Sequence, residues 1–202
     1  KLNIVVFRSG QKFDMLGLDN YFGSIYYVVN NGAQKWHEFN NLRNARPFQT
    51  DDLSQQFFAW MGQAGLRFSD DYKQLIFNNT KIILSRVPAT LKPHKDAALW
   101  VSDVEPNVRT PFIDIYIDEE ACVADLNEPG ALKPLSKWVQ EKFLELFIAQ
   151  DRLVYVRGSF GFAHPNMTWI EPKLRINPGI DPCENQIFAA FFKVLEAKLM
   201  EI

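Results

Sequence analysis

From Thr110 to Asp118 the chain alternates with a period of two: Ile113, Ile115 and Ile117 fall on one face of an extended segment, and Phe112, Asp114, Tyr116 and Asp118 on the other. The pattern predicts a strand with its isoleucine face in a core. Its polar face runs on into the acidic pair Glu119-Glu120 and then Asp125. Asp114 and Asp118 would stand roughly 13 Å apart at ~3.3 Å per residue, too far to share one ion without ligands from neighbouring strands.

The same reading gives elements on either side. Leu2 to Phe7 is an apolar β-prone run that Gly10 closes. In SIYYVVNNGAQKWHEF two β-prone arms flank Asn30-Asn31-Gly32, whose Asn-Gly pair suits the positive φ of a tight hairpin. Thr50 or Asp51 can cap a helix carrying Leu53, Phe57, Trp60 and Met61, with Gly62 and Gly65 at its frayed end. KQLIFNNTKIILSRV predicts a second hairpin turning at Asn78-Asn79. Pro88 and Pro93 mark a connector near 88–95, a short strand follows around Ala98 to Val101, and Pro106 and Pro111 bracket a turn.

After a loop at LNEPGALKP, Pro134 suits a first helical position. Leu135, Trp138, Val139, Phe143, Leu146 and Phe147 then make a helical stripe. RLVYVRGSFGF and TWIEPKLRI read as strands, the second interrupted by Pro172, which favours a sheet edge or a bulge. Asp181, Pro182 and Glu184 form the pattern of a capping box ahead of a helix whose stripe is Ile187, Phe188, Phe191, Leu195 and Leu199. This order lacks strict β-α-β alternation. It predicts an α+β fold, a mostly antiparallel sheet with helices packed on one face, as a single domain over 1–202.

Charge narrows the partners. Across 202 residues the formal net charge is −2, so no global cationic field favours a nucleic-acid backbone. No apolar run approaches the ~20 residues that cross a bilayer, and KLNIVVFRSG is too short for a signal-peptide core, so no membrane partner and a cytoplasmic location are expected. Cys122 and Cys183 belong to no metal-ligand spacing and read as buried thiols.

Chemistry-bearing motifs are sparse. Glu171 and Lys173, two apart on an expected strand, resemble the Glu-x-Lys pair of metal-dependent nucleases, which would need Asp114, Asp118 or Asp151 as a further carboxylate. His37, expected on a hairpin arm, and His94 and His164, expected in turns, have no second ligand at close spacing. Ser159 lacks the GxSxG setting of a nucleophile, and phosphate-binding and EF-hand loops are missing. No cofactor is expected.

The expected function is a non-enzymatic protein-binding one. Its concrete form is an inhibitor or immunity-type protein that neutralises a basic toxin or enzyme. Asp114, Asp118, Glu119, Glu120 and Asp125 would supply the charge complement, with Tyr116 or Trp36 as aromatic anchor. The alternatives are a structural subunit of a phage or secretion assembly, with homo-oligomers, and the metal-dependent hydrolase built on Glu171 and Lys173.

Overall fold

The computed structural model describes residues 4–9, 24–29, 34–45, 52–93, 97–103, 109–125, 128–156 and 163–201. The chain divides into two units, Lys1–Asp70 and Asp71–Ile202.

In the first unit, strands β1 (Ile4–Ser9) and β2 (Ser24–Val29) pair antiparallel, with Ile4 opposite Val29 and Ser9 opposite Ser24. The hairpin expected around Asn30-Asn31-Gly32 does not form. The first arm is β2, paired with β1 instead, and the second arm is helix α1 (Gln34–Asn44). Trp36 and Phe39, three apart, share one side of that helix and meet edge to face at 5.8 Å. Helix α2 (Asp52–Leu84) begins here and ends in the second unit. Its expected stripe splits: Met61 is buried and Phe57 half-buried, while Leu53 and Trp60 are exposed.

The second expected hairpin is also overturned, because KQLIFNNTKIIL lies inside α2. Tyr72, Ile76, Asn79, Thr80 and Ile83 recur at spacings of three and four and are buried on one side. Of the asparagines that suggested a turn, Asn78 accepts on Oδ1 from Gln74 Nε2 at 2.6 Å, while Asn79 Oδ1 is buried without a hydrogen-bond partner. Thr80 Oγ1 donates to the Ile76 carbonyl at 2.9 Å, and Asn79 Nδ2 donates to the Gly179 carbonyl at 3.0 Å.

The second unit continues with a 3₁₀ turn at Ala89–Leu91, β3 (Leu99–Val101), β4 (Ile113–Ile117), β5 (Cys122–Ala124), β6 (Leu132–Pro134), α3 (Leu135–Ile148) and β7 (Tyr155–Val156). Then come β8 (Asn166–Ile170), β9 (Lys173–Asn177), a 3₁₀ turn at Pro182–Glu184 and α4 (Asn185–Leu199). Five strands form a sheet in the order β3-β4-β9-β8-β7, antiparallel except for β7-β8, and β5 pairs with β6. The fold is α+β. Ile113, Ile115, Ile117, Leu174, Ile176 and Met167 meet Phe143 and Phe147 of α3 and Phe188, Phe191 and Phe192 of α4 in one core on a single face of the sheet.

Three local expectations change. TWIEPKLRI is not one strand with a bulge: Glu171-Pro172 is the two-residue turn between β8 and β9, where a residue without an N–H breaks no ladder bond. Pro134 ends β6, one residue before α3 begins. Both cysteines are exposed and free rather than buried. Asp181 does cap, its Oδ1 accepting from the Cys183 N–H at 2.8 Å, but Glu184 is buried and its Oε2 has no hydrogen-bond partner.

Candidate partner-binding face

The face of the sheet opposite the core is assembled by register. Asp114 of β4 lies opposite Arg175 of β9, Tyr116 opposite Lys173, and Trp100 of β3 opposite Tyr116. Residues paired this way share a face and touch.

On this face one carboxylate is shared by two cations. Arg175 grips Asp114 with two bonds, Nε to Oδ1 at 2.8 Å and NH2 to Oδ2 at 3.0 Å, and Lys173 Nζ donates to Oδ2 at 2.7 Å. Burial pushes the Asp114 carboxyl up, but hydrogen bonds from Arg175 and Lys173 outweigh it and hold the group below its ordinary value. The hydrogen bond to Asp114 raises both cations in turn. Aromatics flank the trio. The Trp100 and Tyr116 rings stack at 4.0 Å and 11°, Lys173 Nζ lies 5.2 Å from the Tyr116 centroid, and the Arg175 guanidinium lies 4.6 Å from that of Phe112.

Acidic residues gather where β4 ends. Asp118 is already outside the strand, and its Oδ1 accepts from the Glu120 N–H at 3.0 Å to fix a tight turn. The Ile117 N–H donates to the Pro172 carbonyl at 3.3 Å, which sets this turn beside the β8-β9 turn. Asp118, Glu119, Glu120 and Glu171 are all exposed there.

The remaining expected residues lie apart from that end or are engaged. Asp125 pairs with Lys133 at 3.3 Å, and Lys133 also donates to Glu141 at 2.6 Å, a bond that raises the lysine. Trp36 is buried on α1 of the first unit, not on a hairpin arm, and the exposed His37 follows it on the helix. His164 is an exposed bend residue; His94 and Ser159 lie outside the described residues. The Glu-x-Lys pair is divided between a turn and a strand, and Lys173 is committed to Asp114. Among the described residues no group of three or more His, Cys, Asp or Glu side chains could hold a metal ion, and no helix is long and apolar enough to cross a membrane.

Sequence reasoning missed Trp100, Arg175 and Glu171 as members of this face. KLRIN alternates in the same way as IDIYI, so its basic face was visible; the register that sets it against Asp114 was not. Comparison with protein-family models, with curated proteins and with solved structures yields no match.

Proposed function

We propose that the chain is a protein-binding protein of the inhibitor or immunity type, which neutralises a basic toxin or enzyme through the acidic end of the sheet. The observation that carries this reading is the grouping of Asp118, Glu119, Glu120 and Glu171 on two adjacent exposed turns. Such a charge patch steers a cationic partner and fixes its register. The Trp100–Tyr116 stack is a rigid aromatic plate on the neighbouring face, of the residue type that anchors interfaces. In this reading Asp114 serves the plate as a support, and Asp125 is held by Lys133.

Affinity capture from native lysate with the tagged chain tests the proposal. A stoichiometric basic protein, lost when Asp118→Lys and Glu120→Lys are combined, is the expected outcome. Capture of an acidic partner, or of a partner indifferent to the double reversal, overturns it. A second reading, the assembly subunit, is favoured by the exposed apolar residues of β1, β2 and α2.

A further inference from the structure

The cations on the sheet face outnumber the carboxylate they share. Asp114, Arg175 and Thr168 stand in one row across β4, β9 and β8, and Lys173 is in the next row of β9, all within the second unit. Arg175 Nη2 and Lys173 Nζ donate to the same oxygen, Asp114 Oδ2, at 3.0 and 2.7 Å, so the two nitrogens lie within one anion's reach of each other. One positive charge is left over, on side chains that are 33% exposed at Arg175 and 19% at Lys173. The surplus is felt at Lys173, whose ammonium is raised by its bond to Asp114 while the charge of Arg175 works the other way. Donors are left over as well. Arg175 spends Nε and Nη2 on Asp114, and among the described residues its Nη1 has no acceptor. Tyr116 Oη accepts from Lys173 at 3.5 Å and keeps its own proton to give. The Phe112 ring, 4.6 Å from the guanidinium, holds the fork in place and walls this end of the face.

We propose that Arg175, Lys173 and the Tyr116 hydroxyl form a binding site for a phosphate group. Asp114 already takes the side-by-side pair of guanidinium donors that a flat carboxylate wants. The donors that remain belong to a guanidinium, an ammonium and a phenol, and they suit the several oxygens of a tetrahedral anion. The acidic turn does not forbid it. Asp118 lies four residues on from Asp114, on the order of 13 Å along the strand direction, which is beyond the roughly 8 Å over which exposed charges act at physiological salt. This inference goes beyond the partner-binding reading and does not rest on it, since no residue of the acidic turns takes part.

Calorimetric titration of the full chain with inorganic phosphate, at neutral pH and constant ionic strength, provides the test. One phosphate per chain is expected, and Arg175→Gln should weaken it at least about tenfold, the worth of a charged hydrogen bond. Asp114→Asn should do the opposite. Removing the resident carboxylate frees both cations and one negative charge, so phosphate should bind about threefold tighter. A gain of this kind cannot come from a chain that misfolds, which guards against an Arg175→Gln variant that does. Phenyl phosphate separates the sources of the group: affinity equal to that of inorganic phosphate identifies a free anion, and tighter binding that falls in Phe112→Ala identifies a phosphate carried on a ring. Heat of dilution alone in the parent chain, binding indifferent to Arg175→Gln, or weaker binding in Asp114→Asn overturns the inference.

Discussion

The two units solve the burial problem differently. In the second, apolar side chains from a sheet face, α3 and α4 close around one another, and Phe143, Phe147, Phe188, Phe191 and Phe192 are fully buried. In the first, the large apolar side chains buried among the described residues are Trp36 and Met61, while Ile4, Val5, Val6, Val29, Leu42, Leu53, Trp60 and Phe68 face outward. A two-stranded hairpin is marginal without a third strand or a helix to cover it. The contrast is one of display: the second unit gathers its large aromatic side chains into a core, and the described residues of the first present most of their large apolar side chains at the surface.

The sharpest way to break this contrast is a pair of truncations. Phe143 packs its ring against Phe147 at 4.8 Å, Phe191 at 5.2 Å and Phe188 at 5.8 Å. Phe143→Ala should cost about 3–5 kcal/mol in denaturant unfolding, from lost burial plus the cavity left behind. Trp60→Ala, removing a side chain of similar bulk from an exposed helix site, should stay within about 0.5 kcal/mol in a dilute sample. Equal losses would mean that the two units share one cooperative core.

Next in size is a dependence on pH carried by Glu184 of the second unit. Burial pushes the Glu184 carboxyl up to about 7, with the charge on Asp181 adding to the effect and Arg152 opposing it. Because the folded value lies above the unfolded one, stability from this group is fully present below about pH 4.5 and is lost as pH rises to about 7. The loss is on the order of 3 kcal/mol at about 1.4 kcal/mol per pH unit. Glu184→Gln, which is neutral throughout, should flatten melting temperature between pH 5 and 8. A slope that persists in this variant would place the proton elsewhere.

How much of this was legible depends on whether a signal was local. The alternation of IDIYI gave β4 and its buried face, and the stripe from Leu135 to Phe147 gave α3, because each pattern is set by burial of one side of one element. Asn-rich turn chemistry misled twice. In α2 the apolar spacing around Asn78-Asn79 fits a helix as well as two strands, and the Asn79 amide that suggested a turn instead donates to Gly179, a hundred residues away. In TWIEPKLRI the proline was read as a flaw in one strand when it marks the turn between two. The acidic run after β4 was legible as sequence, but the pairing of Asp114 with Lys173 and Arg175 was not, since it joins residues about sixty apart.

A moderate effect should follow from breaking that pairing. Asp114→Ala leaves Lys173 and Arg175 side by side without their carboxylate, and should cost about 1–3 kcal/mol in thermal or denaturant unfolding. Loosening of Lys173 should also alter Trp100 fluorescence through the ring it stacks on. In the parent chain, the depressed Asp114 value means that this contribution is present above the ordinary carboxylate range and is lost only as pH falls through the lowered value. No change in either signal would remove Asp114 from the support of the aromatic plate.

The smallest effect on folding belongs to the residues with the largest proposed role. Asp118→Lys with Glu120→Lys changes side chains at exposed turn positions, so the melting temperature should shift by no more than about 0.5 kcal/mol of stability warrants. The backbone bond from Glu120 N–H to Asp118 Oδ1 is the one local feature at stake, and Asp118→Asn with Glu120→Gln keeps it while removing the charge. If the acidic end steers a cationic partner, the neutral pair should slow association moderately and the reversed pair strongly, both more at low salt than at high salt. Equal association rates for parent, neutral and reversed chains would leave the aromatic plate as the contact and charge as ordinary surface.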